Sequence, residues 1–152
     1  MMEIRQINSD RDDVKQVLAL SDDYMGALYP PESNHLEPVD ALQKSNVGFF
    51  GVFIEGQLAG TGAVKIMNDD GMYGEIKRVY VKDAYRGKGV SRLIMNTLHE
   101  YLTLNEVQLA RLEVGYLQPE ALGLYRNLGY QDRGPFGQYT QDPNSIFMER
   151  RL

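Results

Sequence analysis

The chain contains no cysteine among its 152 residues. That excludes a disulfide framework, a thiolate nucleophile and a cysteine-based zinc site. It also excludes an acyl group carried on an enzyme cysteine. Only two histidines occur, His35 and His99. They stand far apart and make no metal-ligand pair, so no metal is expected. No run approaches the roughly 18 apolar residues that a membrane span requires. The opening Met1-Met2-Glu3-Ile4-Arg5 lacks an apolar signal core, and the cytoplasm is the expected location. Basic residues are the minority, 16 against 21 acidic ones, for a net charge of −5. General nucleic-acid binding depends on basic surface and is not expected.

What is present is ordinary for a globular protein: 43% apolar and 24% charged residues. The length suggests one domain over residues 1–152, with roughly two-thirds of the chain's surface buried on folding.

One stretch organises the rest. Residues 75–94 read as strand, tight turn and helix. Val79 and Val81 mark the strand, and Arg86-Gly87-Lys88-Gly89-Val90-Ser91 the turn. Apolar residues at 90, 93, 94, 98, 101 and 102 form one face of the helix. The first N–H groups of a helix lack partners, and its dipole makes that end positive. Glycines let backbone approach an anion, so this geometry suits a phosphate. A tight turn with two solvated basic residues is the plainer alternative. The pattern is neither a Walker A loop nor a dinucleotide fingerprint, because no glycine stands five before Gly89 and position 92 is Arg92.

The remaining elements follow from periodicity. A strand is expected over 3–8 and a helix from a Ser9 or Asp10 cap to about Leu28, ended by Pro30-Pro31. The proline-stiffened loop 29–38 follows, then a short helix over 38–44. Strands are expected at 47–54 and 57–67, joined by Glu55-Gly56, with Gly60 and Gly62 suggesting a bulge or close packing. The central strand carries apolar residues at 76, 79 and 81; the step of three calls for a β-bulge. The helix after the turn should run to about Leu104, with His99 on its surface. A strand at 109–114, a helix from Pro119 to Gly129, and strands at 130–133 and 145–150 complete the chain.

The turn resembles the coenzyme A loop of the GNAT N-acetyltransferases, Gln/Arg-x-x-Gly-x-Gly/Ala, with Ser91 at the last position. A second stretch is similar to that family's Asn-x-x-Ala-x-x-(Phe/Leu)-Tyr-x-x-x-Gly-(Phe/Tyr). It matches at Ala121, Leu124, Tyr125, Gly129 and Tyr130, and departs at Gln118. The resemblance covers roughly residues 3–152. It implies a mixed α/β GNAT fold: a mostly antiparallel sheet of six or seven strands with about four helices. In that fold the bulged fourth strand splays from the fifth, and acetyl-CoA enters the gap.

Roles follow from the resemblance. Val79, Tyr80 and Val81 would meet the pantetheine arm, and Arg86, Gly87, Lys88, Gly89, Val90 and Ser91 the pyrophosphate. Gln118 and Arg126 are weaker cofactor contacts. Backbone N–H near Val79 would polarise the thioester carbonyl. Tyr125 would protonate the departing sulfur, with a core aromatic as the alternative. The amine acceptor, with a free pKa near ~10.4, must lose a proton, and Glu75 is the candidate base. Glu75 is equally readable as a carboxylate paired with Lys77 or Arg78. Tyr29, Ser33, Asn34 and His35 of the proline loop, with Glu75 and Tyr139, are the candidate acceptor contacts.

The expected reaction is direct acetyl transfer in a ternary complex to a small-molecule or peptide amine. The alternative is a catalytically silent acyl-CoA-binding module of the same fold. Polyamine, amino acid, aminoglycoside and peptide N-terminus all stand open as acceptors. A homodimer is compatible with the family.

Overall fold

The computed structural model describes residues 1–152. The elements in chain order are β1 (Met2–Gln6), α1 (Asp12–Leu28), β2 (Val47–Ile54), β3 (Gln57–Met67), β4 (Tyr73–Val81), α2 (Val90–Leu104), β5 (Leu109–Gly115), α3 (Pro119–Asn127), β6 (Gln131–Arg133) and β7 (Ser145–Arg151). Short 3-10 turns occupy Pro31–Ser33, Val39–Gln43 and Asp83–Tyr85. Three α-helices flank one seven-stranded sheet of order β1-β2-β3-β4-β5-β7-β6. Every neighbouring pair is antiparallel except β4 and β5. None of the helices is long and apolar enough to cross a membrane.

Alternation along the strands builds two cores, one on each face. Ile76 on β4 and Ala110, Leu112 and Val114 on β5 pack under Val90, Ile94, Leu98 and Leu102 of α2. The opposite face packs Phe49, Phe53, Leu58 and Ala63 under Val14, Val17 and Leu18 of α1. The spacing expected for α2 therefore holds: its buried stripe meets the sheet. Gly62 makes this close approach possible, since a Cβ there would lie 2.3 Å from Ile94 Cγ2.

Two expectations need correction. The start of α1 is not a capping box on Ser9 or Asp10. The helix begins at Asp12, its N-cap Arg11 makes no side-chain cap, and Asp12 and Asp13 offset the dipole instead. Asn8 Oδ1 accepts the Asp10 N–H at 3.0 Å, so the polar side chains upstream serve a turn. His99 is not on the surface: it is 8% exposed, with Nε2 2.6 Å from the Tyr130 hydroxyl. Tyr130, arriving from beyond α3, covers a position that α2's own periodicity leaves at the border of its apolar face.

Candidate active site

The site begins with a pairing that stops. β4 and β5 run in register only over Gly74–Ile76 and Ala110–Leu112, and then part. On its other side β4 pairs with β3, where Ala63 faces Lys77 and Thr61 faces Tyr80. One residue, Gly62, thus stands opposite two, Arg78 and Val79, which is the expected bulge. Arg78 takes the left-handed conformation, φ +57°. That conformation costs an L residue about 1–2 kcal/mol, so its surroundings must hold it. Thr61 Oγ1 donates to the Arg78 carbonyl at 3.2 Å, and Arg78 Nε donates to the Glu37 carbonyl at 3.0 Å. Its buried guanidinium also pairs with Asp22.

Two cavities open where the strands part. They share four lining residues: Met25, Val79, Gln118 and Tyr125. The larger, a groove of about 460 Å³, runs along Val79, Tyr80 and Val81 to the start of α2. Of the expected cofactor contacts, Arg86, Gly87, Gly89, Val90, Ser91, Gln118 and Tyr125 also line it. Lys88 and Arg126 do not line it. Lys88 is exposed, and Arg126 is held 3.1 Å from Asp132.

The groove's end has the geometry of an anion site. Gly89 caps α2 at φ +82°, where other residues are strained, and a Cβ there would meet nothing within 4 Å. No side chain caps α2, and its first turn holds no acidic residue. Its orphan N–H groups are therefore left for an anion, without the acidic residues that stand in the first turn of α1.

The smaller cavity, about 80 Å³, is a chamber on the α1 face of the sheet. All six expected acceptor contacts line it: Tyr29, Ser33, Asn34, His35, Glu75 and Tyr139. Asn34 Nδ2 donates to the Tyr29 carbonyl at 3.4 Å, and Ser33 Oγ to Asp142 at 3.1 Å. The His35 ring stands edge-on to Tyr139, with centroids 5.2 Å apart. The Tyr29 hydroxyl donates to Gln118 Oε1 at 3.1 Å, and burial pushes its pKa up to about 12.

Glu75 is 5% exposed and accepts a short hydrogen bond from the Tyr139 hydroxyl. Lys77 Nζ lies 3.3 Å from the same oxygen, so the paired-carboxylate reading holds for Glu75. Burial and the Glu75 charge push the Tyr139 hydroxyl far above its ordinary pKa, which keeps it a donor. Tyr125 is buried at the seam, and its hydroxyl makes no hydrogen bond within the protein. Burial, aided by Glu113, pushes its pKa up to about 12, so its proton is in place at neutral pH.

Glu113 is a residue the sequence reading missed. It lines the chamber, and Ser145 Oγ donates to its Oε2 at 2.7 Å. Burial pushes its carboxyl pKa up. Its signal was an acidic residue between Leu112 and Val114 in an apolar strand, which alternation puts on the face away from α2. Glu37 and Asn144, also on the chamber wall, come from loops and gave no such signal.

Comparison with known proteins decides the family. The family model described as "Acetyltransferase (GNAT) family" matches residues 14–130. The chain belongs to the GNAT acetyltransferase family. As a GNAT member it is an N-acetyltransferase that uses acetyl-CoA, and GNAT enzymes act on amine acceptors. This GNAT chain is 38% identical over 142 residues to an IAA acetyltransferase of Azospirillum brasilense, covering 93% of the chain and 92% of that protein. A solved structure from Klebsiella pneumoniae, assigned as an acyl-CoA N-acyltransferase, is 28% identical with a TM-score of 0.83 and covers 100% of the chain and 98% of its own. The PaiA N-acetyltransferase of Thermoplasma acidophilum, solved with coenzyme A, shares the fold at TM-score 0.78 and 18% identity, covering 100% and 99% of the two chains.

Proposed function

We propose that residues 1–152 act as one catalytic domain that transfers acetyl from acetyl-CoA directly to a primary amine in a ternary complex. The observation that carries this reading is the seam where groove and chamber meet at Met25, Val79, Gln118 and Tyr125. A donor in the groove and an acceptor in the chamber reach each other there, and the chain has no cysteine to carry the acetyl group between them. Acetyl-CoA supplies the thioester that the amine attacks.

The chain's own groups then divide the work. The Val79 N–H, turned by the bulge, stabilises negative charge on the carbonyl oxygen. Tyr125 donates its proton to the leaving sulfur. Glu113 takes the proton from the acceptor ammonium. Its raised pKa brings it closer to the amine it must deprotonate than an ordinary carboxylate. Glu75 already accepts from Tyr139 and pairs with Lys77, so it fixes the chamber wall instead.

Initial-rate kinetics of thiol release over both substrates test this reading. Intersecting double-reciprocal lines are expected. Parallel lines, the pattern of a covalent acetyl-enzyme, would sink direct transfer.

A further inference from the structure

The charges around the chamber pair off, with one exception. Arg78 pairs with Asp22. Lys65 Nζ lies 3.0 Å from Glu37 Oε2, an ion contact without the alignment of a hydrogen bond. His35 faces Asp142 at 3.7 Å. Lys77 faces Glu75 at 3.3 Å. Glu113 alone has no cation within ion-pair distance, and its one hydrogen bond comes from the Ser145 hydroxyl.

Lys77 is saturated. An ammonium has three N–H donors and no acceptor. Lys77 Nζ reaches the His35 carbonyl at 3.1 Å, the Tyr139 hydroxyl at 3.0 Å and Glu75 at 3.3 Å, with Glu37 at 3.9 Å behind them. Its side chain is 11% exposed. The protein thus holds an ammonium of its own against two of the three chamber carboxylates. A substrate finds one carboxylate free.

We propose that the acceptor is a small amine with one positive charge and an uncharged body, and that Lys77 determines this specificity by filling the site a second ammonium would need. The inference rests on the direct-transfer reading and names its substrate class. A diamine would bring its second charge beside Lys77, where like charges repel and no unpaired carboxylate remains. An acceptor bearing a carboxylate would find Lys77 and Arg78 already paired. The chamber's size, about 80 Å³ against 460 Å³ in the groove, favours a short body.

Three four-carbon amines test it: n-butylamine, 1,4-diaminobutane and 4-aminobutyrate. Each is titrated by calorimetry into the protein saturated with coenzyme A. On the wild type, n-butylamine should bind at least about tenfold more tightly than either other compound. Lys77→Ala should raise the affinity for 1,4-diaminobutane, and Lys77→Arg, which keeps the charge, should retain the wild-type order. The proposal is overturned if 1,4-diaminobutane or 4-aminobutyrate matches n-butylamine on the wild type, or if none of the three binds. An unchanged ranking in a folded Lys77→Ala also overturns it. If that variant does not fold, the wild-type ranking decides alone. Failure of direct transfer shows separately, as parallel lines in the kinetics.

Discussion

The groove and the chamber meet at four residues, yet they are built by opposite means. Most of the groove comes from one continuous stretch, β4 through the first turn of α2, joined by the start of α3. It works through backbone: a bulged strand, a left-handed glycine and an uncapped helix end. The chamber gathers side chains from α1, the loop after it, β4, β5 and the segment before β7. Its polar groups are largely satisfied by one another. An anion site can be left unsatisfied because the N–H groups face water until the ligand arrives. A buried chamber leaves few charges open, because each unpaired one is costly, and here Glu113 alone stands without a cation.

Variants should therefore split into two classes, those that slow the chemical step and those that weaken donor binding. The largest effect is expected from Tyr125→Phe, which removes the hydroxyl proposed as the proton donor and keeps the ring. Thiol release should slow by about 10³-fold, within the range of general-acid catalysis, while acetyl-CoA affinity stays near wild type. Loss of binding and rate together would show that Tyr125 is a packing residue shared by both regions.

Glu113→Gln should slow the reaction by roughly 100-fold and change its pH profile. A base must be unprotonated, so the wild-type rate falls as pH drops through the raised Glu113 pKa. That acid limb should lie above the ordinary carboxylate range and vanish in Glu113→Gln. Survival of the limb there, with its loss in Glu75→Gln, would return the base role to Glu75.

Gly89→Glu probes the groove. It puts a side chain at φ +82° and a negative charge beside the uncapped start of α2, the proposed pyrophosphate site. Calorimetry should show acetyl-CoA binding weakened by at least about 30-fold, the combined result of strain and like-charge repulsion. Unchanged affinity would remove the phosphate from this loop.

The same contrast decides what could be read from the sequence. The groove was legible because its residues are neighbours in the chain: Arg86 to Ser91 carried the loop, and the step from Ile76 to Val79 carried the bulge. The chamber was legible by segment only. The proline loop and Tyr139 fell on it, and Glu75 was readable with Lys77 as a partner, but its hydrogen bond from Tyr139 spans 64 residues of sequence. Glu113 escaped because strand alternation gives a face and not what covers it. Lys88 and Arg126 were drawn in by charge and proximity to the motifs. Lys88 is exposed and Arg126 pairs with Asp132, so neither lines the groove although their chain neighbours do.

His99 lies outside both regions and should leave the rate alone while changing stability. Arg150 Nη1 donates to its Nδ1 at 3.2 Å, so the ring's proton sits on Nε2 toward the Tyr130 hydroxyl at 2.6 Å. Burial, and then the Arg150 charge, depress its pKa from 6.5 to about 4. Between those values the unfolded chain binds a proton that the folded one refuses. Stability is therefore full above pH 6.5 and is lost as pH falls toward 4. The raised pKa of Glu113 works in the opposite sense, because the folded state there holds its proton longer. Comparison with His99→Gln, which keeps Glu113, isolates the histidine. From pH 7 to about 4.5 the wild type should lose roughly 2–3 kcal/mol more than His99→Gln in denaturant melts. Parallel losses in the two proteins would mean that His99 is protonated in the fold and that its contacts with Tyr130 and Arg150 do not hold it neutral. An equal rate of thiol release at pH 7 would place it outside the chemistry in either case.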